Sequence, residues 1–195
     1  MNKNTENRQK MKTRDIFTVV LLALINVVIF FASSLLYATP ITIILMPVFF
    51  SLIEGIVFFI IGNKVQKCGA IMIYCVVRGI LGGYLPYVIL YLLAGMIGEL
   101  VMWKAHYGNA KGLTISYMIV QVFASIGSTI YPYAITFQSL AEKSEADGRA
   151  ANITKAAEIL QSGGAVVLLI GVIICAFIGA MIGKKIAKKH LSTMN

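Results

Sequence analysis

Charged side chains are scarce in this chain: only 13% of its 195 residues are Asp, Glu, Lys or Arg, and only 8 of these are acidic. At the same time 58% of the residues are hydrophobic, and the mean hydropathy is +0.83. This combination excludes an intrinsically disordered protein and an ordinary soluble domain. The chain is therefore predicted to lie in a membrane.

Residues suited to metal or redox chemistry are equally few. The 3 cysteines have no CxxC spacing, and the 2 histidines lie beside basic segments. The chain contains no HExxH, GxSxG or GxxxxGK[ST] motif, which argues against a zinc protease, a serine hydrolase and a nucleotide-binding loop. We expect no enzyme activity, no metal site and no cofactor of its own, so ATP-driven work would need a partner.

The basic residues are placed unevenly. Thirteen of the 17 lie beside apolar stretches, always at the same alternating ends. They are Lys3, Arg8, Lys10, Lys12, Arg14, Lys64, Lys67, Lys104, Lys111, Lys184, Lys185, Lys188 and Lys189. Because Lys and Arg near span ends collect on the cytoplasmic side, both termini are predicted to be cytoplasmic. Topology also explains the pI near 9.5, so no nucleic-acid partner is expected.

Six apolar stretches predict a six-transmembrane-helix bundle, an all-α membrane protein with a single integral membrane domain spanning 1–195. The predicted spans are 16–38, 41–62, 69–82, 85–104, 112–133 and 163–184. Most have about 20 residues, enough to cross roughly 30 Å of hydrocarbon. The segment 137–162 carries three basic and four acidic residues, and is predicted to form an extracellular surface helix or helical lid.

Three ionisable residues fall inside predicted spans: Glu54, Arg78 and Glu99. A charge at the bilayer centre costs about 2.5–3.5 kcal/mol, so each should face protein or water and have a partner. Glu54 precedes Gly62 by eight residues and Arg78 follows Gly69 by nine, which puts both about 12–14 Å from one boundary in antiparallel helices. We predict a Glu54–Arg78 ion pair, which serves either to lock the helices or to contact a substrate.

Polar and aromatic side chains recur at helical spacing on the fourth and fifth spans. The candidate substrate-binding residues are Tyr84, Tyr87, Tyr91, Tyr117, Gln121, Ser125, Ser128, Tyr131 and Gln138, with Arg78 as a further candidate and Tyr133 near the outer mouth. An interfacial aromatic belt and helix-to-helix hydrogen bonds explain some of these positions. A small-molecule pocket explains the same pattern, and the spacing alone leaves both interpretations open.

Small residues form a ridge on the sixth span. Gly171, Cys175, Gly179 and Gly183 recur every four residues, a spacing that lets another helix approach closely. In the first span, Asn26 is expected to hydrogen-bond a neighbouring helix. Both features predict packing rather than chemistry.

Three stretches of the chain stand out together: MPVFFSLIEGIVFFIIGNKVQKCGAIMI at 46–73, AGMIGELVMW at 94–103 and FIGAMIGKKIAKKH at 177–190. They resemble the Trep_Strep, or MptD-type, family of bacterial membrane proteins, which are regarded as substrate-binding S components of energy-coupling factor (ECF) transporters. The resemblance implies a multi-pass protein of the bacterial plasma (inner) membrane that captures a vitamin-like or other small micronutrient from outside. It also implies three partner subunits, a transmembrane coupling subunit and two ATPases that hydrolyse the ATP.

The resemblance implies a docking face for the coupling subunit as well. S components often carry a small-xxx-small patch for this docking on the first helix, where this chain has Ala23 and Val27. Glu99, five residues before Lys104, is a third docking candidate. The alternative is a membrane enzyme or an assembly or regulatory membrane protein that uses Glu54, Arg78 or Glu99.

Overall fold

The computed structural model describes residues 10–32, 39–146 and 148–192, and this part of the chain is helical with no strand. The helices are α1 (Thr13–Ala32), α2 (Pro40–Lys64), α3 (Ala70–Leu81), α4 (Leu85–Ala105), α5 (Ala110–Ser125), α6 (Phe137–Lys143), α7 (Ala150–Ile159) and α8 (Ala165–Ser192). A π-helix (Ile126–Ile135) continues α5, and a π-helical turn (Leu160–Gly164) joins α7 to α8. Lys3, Arg8 and the stretch 33–38 of the first predicted span lie outside the described residues.

Each of the six predicted spans corresponds to a helix. In the part of the chain that the structure describes, five helical segments are long and apolar enough to cross a membrane, whereas the third predicted span is the shorter apolar helix Ala70–Leu81. At 12 residues, α3 is about 18 Å long, which is less than the hydrocarbon thickness. Gly69, before α3, has a φ of 98°, a left-handed conformation that glycine adopts without strain. The described chain is thus an integral membrane helical protein.

The helix ends divide the bundle into two unlike ends. One end, here called the basic end, holds the start of α1, α3 and α5 and the end of α2, α4 and α8. An ion pair of 2.7 Å between Lys67 Nζ and Asp15 Oδ2 joins two of these segments, and Lys111 and Lys184 border one groove there. The described residues among the 13 clustered basic residues therefore all lie at this end.

The segment 137–162 folds back onto the opposite end of the bundle as α6 and α7. Ile153, Ala156 and Leu160 are buried in a cluster with Ile43 of α2 and Leu168 of α8. The sequence predicts a surface helix or a helical lid here. The structure shows that the apolar residues of α7 lie on one side and pack against two spans at the end opposite the start of α1.

α2 and α8 pack with their backbones in contact. A Cβ added to Gly179 would collide with the carbonyl oxygen of Ser51, and one added to Gly183 would collide with that of Gly55. The ridge predicted on the sixth span is therefore a close helix contact within this chain. Pro47, in the interior of α2, lacks the amide that would bond one turn back, which leaves the Ile43 carbonyl without its helical donor.

Candidate ligand-binding site

An ion pair lies in the middle of the bundle. Glu54 of α2 is 1% exposed and Arg78 of α3 is 4% exposed, and the Arg78 guanidinium donates through Nη2 to Glu54 Oε1. The sequence predicts this pair, because the two residues lie at equal depth in antiparallel helices. Because each charge neutralises the other, the pair avoids the cost of an isolated buried ion.

Polar side chains from two further helices complete the network around Glu54. Gln121 Nε2 of α5 donates to Glu54 Oε2 over 3.1 Å, and the Tyr74 hydroxyl donates to the same oxygen over 3.4 Å. Asn26 Nδ2 of α1 donates to the Tyr74 hydroxyl over 3.0 Å, the cross-helix bond expected for this residue. The network thus ties α1, α2, α3 and α5 together around one carboxylate.

The Arg78 guanidinium also lies near two aromatic rings. Its Cζ is 5.9 Å from the centre of the Phe30 ring and 6.0 Å from that of Tyr91, distances at which a cation is attracted to the ring face. Its buried Nε–H has no hydrogen-bond partner among the described residues. Arg78 therefore offers one donor to Glu54 and leaves another unused.

A small cavity of about 30 Å³ adjoins the ion pair. Its lining residues are Phe30, Ile43, Met46, Pro47, Phe50, Glu54, Arg78, Tyr87, Tyr91, Gln121, Ala124, Ser128, Thr129 and Tyr133. A volume of this size has room for about two water molecules. The cavity is polar at the ion pair and aromatic or aliphatic over most of its remaining wall.

Five of the ten residues predicted to bind substrate line this cavity, namely Arg78, Tyr87, Tyr91, Gln121 and Ser128. Most of the lining residues contributed by α1 and α2 are apolar and had no sequence signal that separated them from lipid-facing positions. Thr129 was missed as well. It follows Ser128 directly, and a regular α-helical spacing does not assign both to one wall.

The other five candidates do not line the cavity. Tyr117 donates its hydroxyl to the Ser51 carbonyl over 2.7 Å, and Ser125 donates to the Val122 carbonyl over 2.8 Å. Tyr117 of α5 therefore bonds α2, one of the alternatives that the spacing left open, whereas Ser125 bonds the backbone of its own helix. Their buried polar atoms are satisfied by backbone rather than directed at a cavity.

The three remaining candidates lie towards the end opposite the basic end. The Tyr84 hydroxyl donates to the Gly127 carbonyl over 3.2 Å, and the Tyr131 ring lies beside the Tyr84 ring with centres 6.3 Å apart. Burial raises the pKa of Tyr84 to about 12, so the hydroxyl remains a protonated donor at neutral pH. Gln138 is exposed on α6.

The π-helix explains why the predicted stripe breaks. The sequence pattern assumed α-helical spacing through Tyr117, Gln121, Ser125 and Ser128, but i→i+5 hydrogen bonds begin at Ile126. Wider turns change which side chains share a face. The helix continues through Pro132 to Ile135, two residues beyond the predicted end of this span.

Two docking candidates on α1 require correction. Ala23 is 0% exposed and Val27 is 8% exposed, so both side chains are covered by the rest of this chain. Ala23 belongs to the same buried cluster as Val19. A docking face on α1 would therefore consist of other residues.

Glu99 is occupied by contacts inside the chain. One carboxylate oxygen accepts from the amide of Gly69 over 2.7 Å and the other from those of Ile71 and Met72, both over 3.2 Å. These amides lie at the start of α3 and have no acceptor within the helix, and their partial positive charge favours a carboxylate. Glu99 thus caps α3 from a neighbouring helix, a role that its position in the sequence did not reveal.

Tyr107 completes the environment of Glu99. Its hydroxyl donates to Glu99 Oε1 over 2.6 Å, and burial raises the pKa of this tyrosine, with the hydrogen bonds to Cys68 and Glu99 acting in the same direction. Tyr107 lies in the turn between α4 and α5. One carboxylate therefore holds together the start of α3 and this turn.

Among the described residues, no group of three or more His, Cys, Asp or Glu side chains is arranged to hold a metal ion. In comparisons with known proteins, the model of the family described as "Hypothetical bacterial integral membrane protein (Trep_Strep)" matches residues 13–192. No curated protein and no solved structure matches the chain.

Proposed function

The chain belongs to the Trep_Strep family of bacterial integral membrane proteins, and we propose that it is the substrate-binding component of an ECF-type transporter. The observation that carries this proposal is the cavity beside Glu54 and Arg78, buried among the spans. A concave site with aromatic walls and a few convergent polar groups is the usual form of a small-molecule site. The cargo would be a vitamin-like or other small micronutrient.

The orientation of the cavity supports capture from outside. Lys and Arg collect on the cytoplasmic side, so we place the basic end, and with it both termini, in the cytoplasm. The cavity then extends from the ion pair towards the opposite, extracellular end, where Ile43 and Tyr133 line it. Six helices, counting the short α3, would span or enter the bilayer.

The energy for uptake would come from partner subunits. The sequence contains no GxxxxGK[ST] loop, so nucleotide hydrolysis is assigned to two ATPases joined through a transmembrane coupling subunit. Because Ala23 and Val27 are buried and Glu99 caps α3, the coupling subunit would dock on other residues. The proposed division of labour requires no metal or cofactor on this chain.

The alternative, a membrane enzyme or assembly factor, has less support from the geometry. Glu54 already accepts from Arg78, Gln121 and Tyr74. Glu99 already accepts from three backbone amides and Tyr107. Neither carboxylate is poised as a free acid or base in a cleft.

Purification of the tagged protein from membranes of its own host in mild detergent tests this proposal. We expect a coupling subunit and two ATPases to co-purify in stoichiometric amounts. Proteoliposomes containing the complex should take up the compound recovered from the purified protein only when ATP is supplied to the ATPases. The proposal would be contradicted if the protein purified without ATPases and the proteoliposomes showed either ATP-independent transport or no transport.

A further inference from the structure

We infer that the cavity binds an uncharged, flat ring whose edge carries an N–H next to a C=O, as in a cyclic amide or cyclic urea. This inference rests on the proposed binding function and specifies its ligand. The observations behind it are the charge balance at Glu54 and Arg78, the unused Nε–H of Arg78 and the aromatic walls.

The charge balance excludes a ligand with a net charge. Glu54 and Arg78 neutralise each other, and among the described residues no other Asp, Glu, Lys or Arg lines the cavity. An anion or a cation placed there would be a buried charge without a counterion, which is costly away from bulk water. An uncharged ligand leaves the existing pair intact.

The unused hydrogen-bonding capacity requires both a donor and an acceptor from the ligand. The Nε–H of Arg78 is buried without an acceptor, and a buried donor of this kind costs about 1–3 kcal/mol until it is satisfied. Glu54 accepts three hydrogen bonds of about four that a carboxylate can take. A ligand carbonyl would accept from Arg78 Nε, and the adjacent ligand N–H would donate to Glu54.

The aromatic walls favour a flat ring over an extended chain. Phe30 and Tyr91 both lie about 6 Å from the Arg78 guanidinium, and Tyr87 meets Tyr91 nearly edge to face with ring centres 4.7 Å apart. A planar ring that enters between such faces gains stacking contacts along with its burial. The hydroxyls of Ser128 and Thr129 line the same cavity and suit polar substituents.

The present volume of about 30 Å³ is too small for such a ring. Binding therefore requires the wall side chains to separate, which is a common change at binding sites. The inference thus predicts that the ligand-bound protein differs from this structure at the aromatic side chains of the wall.

Three probes of similar size test the ligand class. Uracil has the uncharged cyclic urea edge, orotate adds a carboxylate to the same ring, and pyrimidine lacks both N–H and C=O. Their binding to the purified full-length protein in detergent is measured by isothermal calorimetry and by the shift in unfolding temperature. We expect uracil to bind at least ten-fold more tightly than orotate or pyrimidine.

Two variants separate the site from general stability. Arg78→Lys keeps the positive charge but removes Nε–H, so uracil binding should fall at least ten-fold although the protein still folds. Ser116→Ala, at a buried polar position of α5 outside the cavity, should bind uracil as the unchanged protein does. Equal binding of orotate or pyrimidine, or full uracil binding by Arg78→Lys, would overturn the inference.

Mass spectrometry of small molecules released from the purified protein supplies the second measurement. The released compound should be uncharged at pH 7 and contain a cyclic amide or cyclic urea. A charged or acyclic compound overturns the ligand class, as does the absence of any released compound together with no uracil binding. A charged compound in an intact ATPase complex rejects this ligand class alone, whereas uracil binding without any ATPase partner rejects only the transporter proposal.

Discussion

Arg78 brings a full positive charge into the interior of the bundle, and Glu54 makes this tolerable. The guanidinium is 4% exposed and has one ionic partner among the described residues. Gln121 and Tyr74 also donate to the Glu54 carboxylate, so the positions of Arg78, Gln121 and Tyr74 all depend on Glu54. At the scale of single residues, stability and the candidate site therefore share the same atoms.

Replacing Arg78 alone should be far more harmful than replacing the pair. Arg78→Leu leaves Glu54 buried and unpaired, which should cost about 3–5 kcal/mol of unfolding free energy. In the double variant Glu54→Gln/Arg78→Leu no charge is left buried, and most of that loss should be recovered. Thermal unfolding in detergent and the monomeric yield on size exclusion measure the difference; an equal loss in both variants would disprove this role.

Glu99 acts between elements, since it lies on α4 and caps α3. Glu99→Gln removes the negative charge and one of the two acceptor oxygens, so the four charge-assisted bonds, three from backbone amides and one from Tyr107, are weakened or lost. We expect a loss of about 1–3 kcal/mol, from the ordinary worth of hydrogen bonds to charged groups. Glu158→Gln, an exposed change on α7, is the matched control and should be within about 0.5 kcal/mol of the unchanged protein.

Hydrogen exchange can localise the Glu99 effect. The amides of Ile71 and Met72 should lose protection in Glu99→Gln, while those in the middle of α8 keep theirs. Unchanged protection at the start of α3 would show that the carboxylate does not cap this helix.

The contact between α2 and α8 depends on glycine at particular positions. At Gly179 a Cβ has no room because the Ser51 carbonyl is in the way, whereas a Cβ at Gly171 would meet only the Val48 side chain at an ordinary 3.5 Å. Substitutions at these two positions therefore provide a matched comparison on one helix. They share the same small-residue spacing but differ in how close the neighbouring backbone lies.

Gly179→Ala should destabilise the protein by about 1–3 kcal/mol through overpacking. Gly171→Ala should be neutral or stabilising by up to about 1 kcal/mol, because alanine favours a helix more than glycine does. Unfolding temperatures of the two variants in the same detergent provide the comparison. An equal effect of both changes would contradict the close approach of the α2 and α8 backbones at Gly179.

At the scale of the whole molecule, the surface matches a lipid environment. Large apolar side chains such as Phe17, Leu21 and Val28 of α1 are exposed on the chain, as are Val167 and Ile174 of α8. The described Lys and Arg residues of the basic clusters lie at the basic end. This arrangement fits a multi-pass bacterial membrane protein whose polar ends face water.

Thiol labelling of intact cells tests which end lies inside. In a background of Cys68→Ser, we expect Glu142→Cys on α6 to react with a membrane-impermeant maleimide in intact cells. Lys185→Cys, at the basic end, should react only after the membrane is opened. The reverse pattern would place the basic end outside and would contradict the proposed direction of capture.

The sequence by itself determined the membrane class, the positions of the helices and the clustering of the basic residues. These properties follow from hydropathy and charge along short stretches of chain, so no contact between distant residues is needed to read them. The pairing of Glu54 with Arg78 could also be predicted from the sequence, because two buried charges of opposite sign at equal depth need each other. The ridge that contains Gly179 could also be predicted from the spacing of its small residues, but its partner helix, α2, could not.

Only the tertiary structure decided which polar and aromatic residues share the cavity. The π-helix after Ser125 changes the faces of α5, and Phe30 and Phe50 enter the wall from helices whose apolar positions look alike in sequence. The same holds for Glu99, whose role depends on a helix start some thirty residues earlier. Periodicity describes one helix at a time, whereas a site is made where several helices meet.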